Sequence, residues 1–257
     1  MVERRKRLLV KIGSSTLTQG TKKISRGKIE DIADQLYQLK KDYDIILVSS
    51  GAVAAAKQFV DLSGGPSIEV KQALASIGQM HLMRIYQEIF RDYDLQCSQC
   101  LLTYYDFDNE ESKKNITNTI NVLLENGYIP IINENDTVAT AEIQFGDNDK
   151  LAALASILLK VDLLILATDT NGLFTNDPKK FKDAQIIKEI SDLEEHIDTV
   201  EDSKSDLGSG GMKSKLQSAQ IAQKAGIETW IISGNSKDFL MDAMNSKEEF
   251  TKILPLF

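Results

Sequence analysis

The feature that most constrains this fold is an alternation of short apolar runs with longer stretches of helical periodicity. Runs of strand length fall at Arg7–Ile12, Asp44–Ser49, Leu95–Leu101, Ile129–Asn133, Asp162–Thr168 and Glu228–Ser233. Helical stretches separate them at Arg26–Lys41, Ser67–Tyr93, Asp108–Asn126, Asp149–Lys160 and Met212–Ala225. In the last, Met212, Leu216, Ala219, Ala222 and Ala225 recur every three or four residues, and Gly226 follows as a cap. Alternation of this kind predicts a mainly parallel sheet with helices on both faces and right-handed crossovers. The chain has no Pro/Gly/Ser linker and no internal repeat, so it reads as one folded unit with two lobes around a cleft. Thr137–Phe145 alternates weakly and is expected to form a small hairpin over that cleft. Glu201–Gly211, charged and then glycine-rich, is expected to be a flexible insert.

Composition narrows the function. The 257 residues are 42% hydrophobic and 26% charged, enough to bury a substantial core. The net charge of −8 argues against a nucleic-acid surface. No apolar stretch reaches the roughly 18 residues of a membrane span, and the basic start has no secretory pattern. The run Arg4-Arg5-Lys6-Arg7 is read as the solvated start of the first strand. Cys97 and Cys100 form a lone C-x-x-C within a strand pattern, while His81 and His196 have no paired spacing. Two reduced structural thiols in a cytoplasmic protein fit better than a metal or redox site.

The polar residues that interrupt this pattern sit where ligands gather in open α/β sheets, beyond the carboxyl ends of strands. Lys11, Ser50, the cluster Asn133-Glu134-Asn135-Asp136 and the pair Thr168-Asp169 each follow or close a predicted strand. A second acidic-amide cluster, Gly146-Asp147-Asn148-Asp149, opens a helix. Lys215 opens another after the glycine loop Gly208-Ser209-Gly210-Gly211. A cation in the first turn of a helix is misplaced by about 0.3–1 kcal/mol against the dipole. Lys215 is therefore either a solvated lysine or one that meets a phosphate held by the loop's N–H groups. Lys11 is either a lysine snorkelling from a strand end or a second phosphate contact beside Gly13-Ser14-Ser15. Asp136 and Asp149 are either helix caps or carboxylates that hold the lysines in place, and for Asp149 the two roles are compatible. No histidine, cysteine or serine–histidine pair accompanies these motifs. Such a site suits phosphoryl transfer to a carboxylate, which is already an anionic nucleophile and needs no base.

Six blocks carry a family resemblance. They are Val10-Lys11-Ile12-Gly13-Ser14-Ser15, Val48-Ser49-Ser50-Gly51-Ala52-Val53-Ala54, Ile132 to Thr140, Gly146 to Asp149, Thr168 to Thr175 and Gly208 to Lys215. Together, and in order along essentially the whole chain, they resemble the glutamate 5-kinases of the amino acid kinase family. The resemblance implies an α/β/α sandwich with a mainly parallel central sheet, comprising residues 1–257 as one kinase domain without the C-terminal PUA domain that many members carry. It implies transfer of the ATP γ-phosphoryl group to the side-chain carboxylate of L-glutamate, with Mg²⁺, in the cytoplasm. Proline as feedback inhibitor and a homo-oligomeric assembly are implied too, with no membrane or nucleic-acid partner. Lys11, Lys215 and Asp149 take catalytic roles, with Asp149 orienting the lysines. Ser50, Asp136 and Asn148 take the glutamate side. Lys11, Thr168, Asp169, Ser209, Gly210, Gly211, Met212, Lys213, Ser214 and Lys215 take the nucleotide, and no residue is assigned to a metal. Ala56 departs from the family, which often has glycine there. N-acetylglutamate kinases are the nearest alternative. Their substrate lacks a free ammonium and leaves less use for Asp136, and the motif loops here contain no arginine.

Overall fold

A computed structural model describes residues 4–65, 67–139, 148–176, 178, 180–197 and 211–256. All six expected strands form, each within one residue of its expected ends: β1 Lys6–Ile12, β2 Tyr43–Ser49, β3 Gln96–Leu102, β4 Tyr128–Glu134, β5 Leu163–Thr168 and β7 Glu228–Ser233. Two short strands were not foreseen, β6 Glu189–Ile190 and β8 Thr251–Ile253. The eight strands form one sheet in the order β3-β4-β2-β1-β5-β7-β8-β6. Every pairing is parallel except β7–β8. The five expected helices are α2 Arg26–Leu39, α4 Ile68–Asp92, α5 Glu110–Glu125, α6 Asn148–Leu158 and α8 Met212–Lys224. Shorter helices among the described residues are α1 Ser14–Thr18, α3 Ala52–Ala56, α7 Glu194–Ile197 and α9 Phe239–Met244, with a 3-10 turn at Tyr104–Phe107. Of the expected hairpin, residues 140–145 lie outside the described residues, as do residues 201–210 of the expected insert.

Strand parity distributes side chains between two cores. Leu8, Val10 and Ile12 enter one, packed with Ile29, Ile32 and Leu36 of α2 and with Leu82 and Tyr86 of α4. Leu9 enters the other, with Leu151 of α6 and Leu216 of α8. Lys11 shares the parity of Leu9, so the strand itself sends that lysine toward the α6 and α8 layer. In β2, Ser49 shares the parity of Ile45 and Leu47 and faces α4. In β4, Asn133 follows Ile129 and Ile131 to the same face.

The same parity disposes of the C-x-x-C motif. Cys97 packs against the first core and Cys100 against the second, on opposite faces of β3. Three residues of strand span roughly 10 Å, beyond the roughly 4.4–6.8 Å a disulfide spans between Cα atoms. Both thiols are free, and burial pushes both pKa values up, that of Cys97 to about 11.

Caps and close approaches fix the remaining geometry. Ser25, Ser67 and Asn109 cap α2, α4 and α5, each accepting a hydrogen bond from a first-turn N–H. Gly51 turns the chain out of β2 at φ 108°, where a side chain would be strained and a Cβ would lie 3.1 Å from Leu17. Gly78 lets α4 lie against α3, for a Cβ there would stand 1.7 Å from the Ala52 carbonyl oxygen. Helix α4 therefore cannot move away from the end of β2 without losing this contact. The basic start is more engaged than a solvated run: Arg4 pairs with Asp162 at 2.9 Å. Half-buried Arg7 donates to the Leu159 carbonyl and to Asn121 Oδ1, both at 2.7 Å.

Candidate active site

Three ionisable side chains from three elements meet beyond the carboxyl end of the sheet. Asp149, in the first turn of α6, is fully buried, and each of its oxygens holds one lysine. Lys11 Nζ of β1 lies 2.7 Å from Oδ1, and Lys215 Nζ of α8 lies 3.1 Å from Oδ2. Lys11 is 5% and Lys215 8% exposed, so solvent screens these charges little. Two ammonium groups against one carboxylate leave a positive charge in excess among the three, at the mouth of a parallel sheet. Lys213 stands two residues from Lys215, on another side of α8, and is half-buried.

A neutral cluster lies alongside. Asn148, adjacent to Asp149 in α6, is 6% exposed. Its Nδ2 donates to Asn133 Oδ1 at 2.7 Å, to Ser50 Oγ at 3.1 Å and to the Ser49 carbonyl at 3.3 Å. The Glu134 N–H also donates to Asn133 Oδ1 at 2.9 Å, and Asn133 Nδ2 donates to Gln79 Oε1 of α4 at 2.7 Å. Ser49 Oγ donates to the Ser50 carbonyl at 3.0 Å, which leaves Tyr86 of α4 as its donor across a 2.9 Å contact. Burial pushes the Tyr86 pKa well above that of an ordinary phenol, so it stays a neutral donor. Asp136 lies in the loop after β4 and lines a cavity of about 420 Å³ with Gln79, Asn135 and Thr137.

On the other flank, buried Thr168 ends β5 and donates to the exposed Asp169 carboxylate at 3.1 Å. The Gly234 N–H closes on the Thr168 carbonyl at 2.7 Å, and Asn235 donates to that of Asp169 at 3.2 Å. Gly211 is the N-cap of α8 in extended backbone, and Met212, Lys213 and Ser214 form its first turn, where N–H groups lack helical partners. Gly146, Asp147, Gly208, Ser209 and Gly210 lie outside the described residues. Of the two histidines, His81 stacks on Phe59 and His196 lies in α7.

The structure thus brings Lys11, Asp149 and Lys215 into one cluster and Ser50 with Asn148 into its neighbour. Gln79, Ser49 and Tyr86 were not among the expected site residues, and Asn133 was expected only as part of the acidic-amide cluster, with no role of its own. A signal for Gln79 existed: the buried stripe of α4 runs Ala75, Gly78-Gln79, Leu82, Tyr86 and Ile89-Phe90, and Gln79 is a polar amide inside it.

Comparison with known proteins gives the family. The Amino acid kinase family profile matches residues 6–233. A glutamate 5-kinase of Aliivibrio fischeri is 42% identical over 252 residues, an alignment covering 97% of this chain and 68% of that protein. Glutamate 5-kinase 2 of Pseudoalteromonas translucida is 42% identical over 251 residues, with 97% and 68% covered. Among solved structures, a carbamate kinase from Giardia lamblia bound to AMP-PNP superposes with a TM-score of 0.70 at 18% identity, covering 98% of this chain and 99% of that one. UMP kinase from Ureaplasma parvum gives 0.68 at 16% identity, covering 98% and 100%. At such identities the likeness is one of fold, an α/β/α sandwich around a mainly parallel sheet. The match over most of its length establishes that this chain belongs to the amino acid kinase family.

Proposed function

We infer that this protein transfers the γ-phosphoryl group of ATP to the side-chain carboxylate of L-glutamate, giving L-glutamyl 5-phosphate and ADP, the first step of proline biosynthesis. The observation that carries the reading is the buried Lys11–Asp149–Lys215 cluster set beside a neutral amide cluster, in a chain 42% identical to glutamate 5-kinases. A glutamate carboxylate oxygen attacks the γ-phosphorus, a new O–P bond forms and the bond to the ADP oxygen breaks. No proton need move, so the step requires no general base. Lys11 and Lys215 balance charge on the phosphoryl oxygens as it shifts toward ADP, and Asp149 keeps both ammonium groups in place without reorganisation.

On this reading Thr168, Asp169 and the segment Ser209 to Lys215 hold the nucleotide, with the first-turn N–H groups of α8 facing its phosphates. Ser50, Asn148 and Asp136 face glutamate, and the Asp136 carboxylate meets the α-ammonium. ATP enters as its magnesium complex. Among the described residues no group of three His, Cys, Asp or Glu side chains is placed to hold a metal ion, and both Asp149 oxygens are engaged by lysines. The ion would travel with the nucleotide phosphates and offset part of their charge. Proline, which shares glutamate's α-amino-acid end, would inhibit from the acceptor side, and copies of the chain would assemble as a homo-oligomer. Among the described residues no helix is long and apolar enough to cross a membrane. Two free thiols fit a cytoplasmic enzyme.

The test is ADP release with L-glutamate, N-acetylglutamate, aspartate and UMP as acceptors, with hydroxylamine present to trap an acyl phosphate as hydroxamate. Turnover and hydroxamate with glutamate are expected. Nucleotide binding without turnover on any of the four would instead make the protein a sensor.

A further inference from the structure

The polarity of the amide cluster is dictated by backbone groups that cannot be turned round. The Glu134 N–H is a donor only, so Asn133 must present Oδ1 to it, at 2.9 Å. The Asn133 Nδ2 then faces α4 and requires an acceptor, which Gln79 Oε1 supplies at 2.7 Å. At the other end the Ser49 carbonyl is an acceptor only, so Asn148 must present Nδ2, and that same group donates to Asn133 Oδ1. With both amide orientations fixed, the direction of the Asn148 carbonyl is fixed as well. Gln79 is the one described side chain that accepts from Asn133 Nδ2. It is 8% exposed and lines the cavity that also holds Asp136. The contact of Gly78 with α3 sets the depth of α4 at this point, so Gln79 is held by its own backbone rather than by the partner it orients.

We propose that Gln79 is a positioning residue for the acceptor substrate: by accepting from Asn133 it holds that amide in place against Asn148 and ties the pair to the wall that carries Asp136. This rests on the reading of Ser50, Asn148 and Asp136 as the glutamate side. Gln79 touches none of the three charged residues that face the phosphoryl group. Its loss should therefore be felt in acceptor binding and not in nucleotide binding.

Steady-state kinetics with ATP and glutamate varied separately test this on three variants. Gln79→Met keeps the volume and removes the acceptor, and Gln79→Asn keeps an amide but falls one methylene short. Each should raise the KM for glutamate by about 5–30-fold, the scale for one buried donor left unsatisfied, with the KM for ATP within about twofold. Gln79→Glu keeps an oxygen toward Asn133 and puts a carboxylate oxygen, with its negative charge, in place of the Nε2 group, which makes no hydrogen bond to a described residue. Because the acceptor for Asn133 is retained, it should raise the KM for glutamate less than Gln79→Asn does. An unchanged glutamate KM in Gln79→Asn or Gln79→Met would overturn the proposal. So would a parallel rise for ATP, or equal damage from all three variants, since a packing role would not distinguish glutamate from ATP or Glu from Asn. Asp136→Asn, run alongside, separates the two layers of inference. If it leaves the glutamate KM unchanged, the assignment of the acceptor side has failed; if it raises that KM while the Gln79 variants do not, only the positioning role has.

Discussion

Asn148 and Asp149 are consecutive residues in the first turn of α6, yet they serve neighbourhoods built on different physics. Asp149 is buried between two lysines, and its cluster is held by charge. Such a cluster is strong and intolerant, because removing one partner of a buried pair commonly costs about 3–5 kcal/mol through the charge left behind. Asn148 joins a chain of neutral amides and hydroxyls whose net gain per bond is modest but whose direction is exact in sense, donor to acceptor, from Ser49 to Gln79. The difference teaches that one helix end can divide a site by kind of interaction. On the proposed reading, the charged side neutralises a moving phosphoryl group and the amide side selects what receives it. Damage to the two should look different in kinetics.

The largest effect is expected on the charged side. Lys11→Ala or Lys215→Ala should lower kcat by on the order of 10²–10³, the scale for one preorganised donor in a transition state. Half-buried Lys213 should matter much less, with Lys213→Ala changing kcat by no more than about fivefold. A more damaging Lys213 would reverse the assignment of faces on α8. On the amide side the expected change is in binding. Asp136→Asn should raise the glutamate KM by roughly 10–150-fold, the range of a charge-assisted hydrogen bond, with the ATP KM nearly unchanged. It should also narrow the preference for glutamate over N-acetylglutamate, which lacks the ammonium.

How much of this was legible in the sequence follows from the same contrast. Strands such as Leu8-Leu9-Val10 or Ile45-Ile46-Leu47-Val48 announce themselves, because burial on both faces leaves no polar interruption. Lysines and carboxylates at the ends of those runs were visible as anomalies, and strand parity alone sends Lys11 to the layer of Asp149. Short elements were not visible. The helices α1 and α3 have five residues each, too few for a period to register, and β8 has three. The contact from Gln79 to Asn133 joins residues 54 apart in sequence, and nothing local to either marks the other. An amide inside an apolar stripe was the available clue, and it says that a partner exists without saying which.

The smallest effect is expected far from both clusters. Cys97→Ala and Cys100→Ala should each leave kcat/KM within about twofold, since their side chains lie on opposite faces of the edge strand β3. Burial disfavours the thiolate, so the folded pKa lies above the ordinary value. With the Cys97 pKa at about 11, about one thiol in a thousand is ionised at pH 8, against roughly one in ten at the ordinary 9.0. Alkylation by iodoacetamide at pH 8 should accordingly be slow in the folded protein and fast in denaturant. Rapid alkylation of the native protein would mean that β3 is not seated as described.

The division of the site at the first turn of α6 is tested most directly by comparing Asn148→Ala with Lys215→Ala, each titrated separately with ATP and with glutamate. Asn148→Ala should raise the glutamate KM by about tenfold or more and hold the ATP KM within about twofold, while Lys215→Ala should lose kcat with little change in the glutamate KM. If Asn148→Ala instead impairs ATP binding, or if both variants lose kcat alike with unaltered glutamate KM, the two neighbourhoods are not separate and the site is not divided there.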